Sequence, residues 1–100
     1  MIIILTTTQK KQDAEKLAKR LIEKKLAACI NIVKIEKSIY RWKGKIVNDK
    51  EFLLVIKSTK ERYEKVEHFL RANHPNELPE IIAIPVECAY KKYLNWITKN

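Results

Sequence analysis

The sequence predicts an α+β fold: a four-stranded antiparallel sheet with two helices on one face, a long central hairpin and an extra C-terminal helix. Three observations predict it. Apolar residues recur first at strand spacing, then at helix spacing, then over two successive strands, and the helix-to-strand change repeats once more. Gly44, the only glycine, falls in the longest extended stretch, where a hairpin has to turn. One hundred residues with 46% apolar composition supply a single two-layer core, so residues 1–100 read as one domain.

Ile2 to Thr8 is a short run of mostly β-branched residues, the pattern of a central strand buried on both faces. Ala14, Leu17, Ala18, Leu21 and Ile22 then recur at helical spacing among charged residues, predicting a helix over about 10–25. Thr8 is placed to cap its start, and Lys24 and Lys25 suit the negative end of its dipole. Ala28, Ile30 and Ile32 alternate with Cys29 and Asn31 as a strand. After Val33 the apolar phase moves to odd positions, Ile35 and Ile39, which predicts a β-bulge. The return strand runs from Lys45 to Lys57. Ser58 and Glu61 have the spacing of a capping box and open a second helix with Tyr63, Val66, Phe69 and Leu70 on one face. His74-Pro75 ends that helix, because the residue before proline is pushed out of the α region. Ile81 to Ile84 is a strand closed or kinked by Pro85. Tyr90 to Ile97 is a terminal helix with Tyr93, Leu94, Trp96 and Ile97 available for docking. With right-handed crossovers, the order β-α-β-β-α-β gives the ferredoxin-like arrangement.

The hairpin is too long for one subunit. Its arms run about a dozen residues, about 40 Å at the rise of a strand, whereas a domain of this size has a radius of gyration of about 13 Å. Its distal part still carries Ile39, Tyr40, Trp42, Ile46 and Val47. Either it lies on neighbouring subunits or it curls back over its own sheet, and the first is the more economical.

Composition bounds the function. A charged fraction of 33% and the lack of any long apolar run exclude a helical membrane protein. The start, Met1 to Leu5, is short for a signal peptide and has no basic leader, so a cytoplasmic protein is expected. Cys29 and Cys88 are too few for a disulfide scaffold and read as small buried hydrophobes. The net charge of +9 invites nucleic-acid binding. However, Lys10, Lys11, Lys16, Lys19, Arg20, Lys24 and Lys25 alternate with Asp13, Glu15 and Glu23, as on the solvated face of a helix. No specific nucleic-acid or membrane partner is expected.

The residues also carry a family resemblance. Lys25-Leu-Ala-Ala-Cys-Ile-Asn-Ile32, Ser38-Ile-Tyr-Arg-Trp-Lys-Gly-Lys-Ile46, His74-Pro-Asn-Glu-Leu-Pro-Glu-Ile-Ile-Ala83 and Tyr93-Leu-Asn-Trp-Ile97 resemble, in order, four motifs of the CutA divalent-cation tolerance family. The likeness covers nearly the whole chain. It implies a homotrimer of ferredoxin-like subunits whose long strands pair across interfaces, and a link to divalent cations, Cu(II) above all. No reaction is attached to the family. Asn76 stands where the family usually has tyrosine. Thr6 and Asn73 stand where members described as copper ligands carry cysteine and histidine, so His74 alone remains of that set.

His74 is therefore the metal candidate, for Cu(II) or another divalent cation, since imidazole suits Cu(II) and a His-Pro corner exposes the ring. Glu77 and Glu80 lie near it in sequence, and a neighbour's carboxylates could complete a shell. The alternative is a histidine that terminates its helix by hydrogen bonding. Tyr40, Trp42, Lys57 and Glu80 form a candidate ligand cleft, with a structural Lys57-Glu80 ion pair as the other reading. The central strands Ile2 to Leu5 and Leu53 to Ile56 lack the aromatics of an RNA-recognition motif. The loop Thr6-Thr7-Thr8-Gln9 has neither the Cys-x-x-Cys of a copper chaperone nor the arginine of an acylphosphatase. No nucleophile and base pair up, and no glycine-rich phosphate loop exists, so no enzyme is expected. The remaining function classes are a metal-responsive trimer and a PII-like signalling or scaffold module that recognises a small ligand or a protein partner.

Overall fold

A computed structural model describes residues 1–100. Its elements are β1 (Ile2–Thr8), α1 (Lys11–Glu23), β2 (Cys29–Trp42), β3 (Lys45–Ser58), a 3₁₀ turn (Lys60–Arg62), α2 (Tyr63–Asn73), β4 (Ile82–Pro85) and α3 (Lys91–Lys99). The strands form one antiparallel sheet in the order β2-β3-β1-β4, the ferredoxin-like topology expected.

Period-2 alternation sorts the sheet into two faces. Ile2, Ile4, Leu54 and Ile56 point to the helices and join Ala14, Leu17 and Leu21 of α1 with Val66, Phe69 and Leu70 of α2 in the core. On the opposite face, register puts Ile3 beside Lys57 and Ile84, Leu5 beside Val55 and Ile82, and Val33 beside Leu53. No second layer of the chain covers this face fully. Ile82, Ile84 and Val33 stay 46–48% exposed, and Ile3, Leu5, Leu53 and Val55 are half-buried. The expectation that β1 is buried on both faces therefore holds, within one chain, on the helix side only.

The hairpin projects as expected. β1 pairs with β3 from Phe52 to Ser58, leaving Lys45 to Glu51 paired to β2 alone, a ribbon of about 23 Å. The molecule is 45 Å long and 21 Å thin. Lys43 (φ 50°) and Gly44 (φ 79°) are the two central residues of the turn, and positive φ at both is the hairpin geometry that matches strand twist. The bulge sits between Ile35 and Ser38, later than the phase change suggested. Ile35 still pairs in register on the uncovered face. The extra residue then returns Ile39 to the side of Ile30 and Ile32.

Two capping expectations fail for the same reason. Thr8 and Ser58 are fully buried, and their hydroxyls are engaged elsewhere. Thr8 Oγ1 donates to the Lys10 carbonyl at 2.8 Å, and Ser58 Oγ to the Leu26 carbonyl at 2.6 Å. A 3₁₀ turn, not a capping box, leads into α2. The cysteines also differ from expectation, since Cys88 is exposed and Cys29 only half-buried. In α3, Ile97 alone is fully buried. Leu94 is half-buried, while Tyr93 and Trp96 stack on each other at 6.0 Å and stay 36% and 47% exposed.

α1 ends in a Schellman motif: Leu26 N–H donates to the Leu21 carbonyl and Lys25 N–H to the Ile22 carbonyl, each at 3.0 Å. Lys25 takes the left-handed conformation there, φ 58°, which costs a side-chain-bearing residue about 1 kcal/mol. Lys25→Gly is expected to raise stability by up to that amount, read as a higher urea midpoint at unchanged slope.

Candidate functional site

Two sets of candidate residues meet near the C-terminal end of β1. His74 follows the last turn of α2 in an extended conformation, φ −73° and ψ 136°, as proline at 75 demands. Its ring turns inward. Asn76 N–H donates to Nδ1 at 3.1 Å, so in the neutral ring the proton sits on Nε2, which lies 3.1 Å from Thr6 Oγ1. Burial lowers the His74 pKa. The opposing influences are a hydrogen bond to the Thr7 backbone and the Asp13 and Glu51 carboxylates. No group of three or more His, Cys, Asp or Glu side chains is arranged to hold a metal. The donor set around His74 therefore does not fit a chelated copper ion. The ring has no lone pair free unless Asn76 is released.

The sign of this pKa shift fixes a pH dependence. Below about 6.5 the unfolded chain protonates His74 while the native ring resists. The stability it contributes is complete above that pH and is lost as pH falls toward the depressed native value. The urea midpoint is expected to fall between pH 7.5 and pH 5, and to fall less in His74→Gln. Equal losses in both proteins would contradict this account.

The second set is a cleft of about 730 Å³ between the projecting hairpin and the segment Pro75 to Glu80. Tyr40, Trp42 and Glu80 line it. Lys57 does not. It lies six residues along β3 from Glu51, about 20 Å away, with Nζ 5.7 Å from the Tyr93 ring centre. No Lys57-Glu80 pair forms across this cleft, because the two residues belong to opposite ends of the sheet.

In place of the lysine the cleft holds carboxylates. Asp49 and Glu51 line it from β3, with Glu77 and Glu80 from the segment after His74. Register puts Ser38 beside Asp49 and Tyr40 beside Val47, so these side chains share a face. Asp49 Oδ2 accepts from the Tyr40 hydroxyl and from Gln9 Nε2, the latter at 3.2 Å. That bond, then burial and the Asp49 and Glu51 charges, push the Tyr40 pKa up to about 12. Asp49 and Glu51 are two apart in a strand, and that spacing is the sequence signal for a shared face.

A second hollow, about 450 Å³, lies between α1 and α2 and is lined by Arg20, Lys24, Lys65 and His68, with Arg20 5.1 Å above the Phe69 ring. His68 is exposed there, as expected of a surface residue.

The architecture and the four motifs agree with comparison to known proteins. The family model described as CutA1 divalent ion tolerance protein matches residues 2–100. The divalent-cation tolerance protein CutA of Thermus thermophilus is 41% identical over 98 residues, covering 98% of this chain and 95% of that protein. A solved structure of the divalent cation tolerance protein from Thermus thermophilus superposes with a TM-score of 0.95 at 40% identity, covering 100% of this chain and 98% of that one. The Pyrococcus horikoshii CutA1 structure gives 0.93 at 34% identity, covering 97% and 94%. Matched from end to end in sequence and in backbone, the chain belongs to the CutA1 divalent ion tolerance family.

Proposed function

We propose that the chain acts as a homotrimer that handles divalent cations by binding them weakly. The observation that carries the assembly is the uncovered apolar face. Val33, Ile82 and Ile84 are 46–48% exposed on it, and Ile39 and Ile46 of the projecting hairpin are 67% and 71% exposed on the other side of the ribbon. This is more than solubility tolerates unless a partner covers it. The projecting hairpin and the free edge of β4 are different surfaces, so a contact between them is heterologous, the kind that forms a ring when its rotation closes. A ring of three is what the sequence resemblance implies. Cross-linking with a short lysine-reactive reagent at micromolar concentration is expected to give a ladder ending at three chains, and a ladder ending at one would overturn the assembly.

Weak cation binding fits a His74 whose lone pair is already engaged. Calorimetric titration with Cu(II) is expected to show a shallow isotherm that His74→Ala removes. Equal heat from both proteins would end the role of His74. No reaction is part of this proposal. Two free cysteines suit a reducing compartment, and we place the protein in the cytoplasm.

A second reading is favoured by the cleft that brings Tyr40, Trp42 and Glu80 together, at a volume typical of small-molecule sites. In it the trimer is a PII-like module whose ligand occupies that cleft.

A further inference from the structure

We propose that the hollow between α1 and α2 binds a compact phosphate-bearing polyanion, gripped by Arg20 and Lys24 from one helix and by Lys65 and His68 from the other. The hollow belongs to the helix layer, on the side of the sheet opposite the uncovered apolar face, and no hairpin or β4 residue lines it. The proposed assembly makes no use of it.

Charge sets the sign of the ligand. Three cationic side chains and His68 line the hollow against one carboxylate, Glu64. Arg20 and Lys24 lie four residues apart on one helix, and both charges stand over the same ring. The Arg20 guanidinium is 5.1 Å and the Lys24 ammonium 6.0 Å from the centre of Phe69. The ring attracts each cation but leaves their mutual repulsion in place, since like charges at this spacing disfavour the helix. An anion seated between them and Lys65 relieves that repulsion.

Arg20 is already held for the purpose. Its Nη1 donates to Asn73 Oδ1 at 3.1 Å, and Asn73 Nδ2 donates in turn to the Phe69 carbonyl at 2.9 Å. The partner that fixes the guanidinium is thus a neutral amide, which leaves its charge uncompensated and uses one of its five N–H donors. A fork fixed in advance loses less freedom when it binds.

Shape and donor placement set the class. The hollow, about 450 Å³, falls in the range of small-ligand sites. Its donors arrive from two walls. A carboxylate accepts in one plane, whereas a phosphate group offers three strong acceptor oxygens around one centre and meets both walls at once.

The test is calorimetric titration of the full-length protein with pyrophosphate at physiological ionic strength, without added divalent cations. Citrate serves as the carboxylate probe and phosphatidic acid vesicles as the lipid one. Backbone NMR reports the place. The expected result is saturable pyrophosphate binding that moves the His68 and Asn73 amide signals and weakens about tenfold in Arg20→Gln and in Lys65→Gln. Lys65 is exposed, so its variant decides the matter should Arg20→Gln fold poorly by circular dichroism. Lys16→Gln, on the same helix but outside the hollow, is expected to bind as the parent does. Equal losses in Lys16→Gln and Lys65→Gln would mean diffuse attraction to a basic surface and overturn the proposal. Citrate binding as tightly as pyrophosphate would overturn the phosphate class. Silence toward pyrophosphate would overturn the site, and sedimentation with the vesicles alongside that silence would assign this basic face to a membrane surface instead.

Discussion

If the chain assembles as proposed, replacing Leu5 by aspartate is expected to leave monomers in place of trimers. Leu5 lies on the uncovered face of the sheet, in a row with Val55 on β3 and Ile82 on β4. It is half-buried in one chain, and the proposed packing of copies on this face would enclose it. An aspartate there loses its water on assembly and finds no cation in that row, a cost of several kcal/mol for each subunit. The helix-covered face, with Ile4, Leu54 and Ile56, is untouched. Mass should therefore fall while far-ultraviolet circular dichroism changes little. A variant that keeps the wild-type mass and melting temperature would show that this face is not an interface.

Leu54→Ala is expected to cost about 3 kcal/mol, a large share of the stability of a small domain. Leu54 is fully buried on the helix side of β3, opposite Thr6 on β1 and Ile32 on β2. Truncating it removes apolar burial at a point where α1, α2 and the sheet meet, and a rigid sheet relaxes poorly into the space. Urea unfolding at fixed protein concentration measures the loss. A loss under about 1 kcal/mol would mean the core closes over the cavity.

The fold was legible wherever one periodicity ran for several residues. The core faces of α1 and α2, the turn at Gly44 and the helix stop at His74-Pro75 were each marked locally. What failed was set by contacts distant in sequence. Thr8 and Ser58 have capping residue types, but packing buries both and redirects their hydroxyls. Tyr93 and Trp96 look like docking residues, yet in a single chain only Ile97 fills that role completely.

The site was legible in part for the same reason. Tyr40, Trp42 and Glu80 line one cleft, because the hairpin turn and the segment after His74 both lie toward the same end of the sheet. Lys57 was misplaced because its partner depends on strand register, and the register pairs it with Ile3 and Cys29. The contact between His74 and Thr6 spans 68 residues and has no local signature. Glu51 reads as one more charge in a charged strand, and only its burial singles it out.

Light scattering on the eluting peak of a size-exclusion column tests the assembly most directly. Three chains of 11.8 kDa predict a mass of about 35 kDa that persists on dilution through the micromolar range. A single species at 11.8 kDa would contradict the account, and the uncovered face of the sheet would then need another explanation.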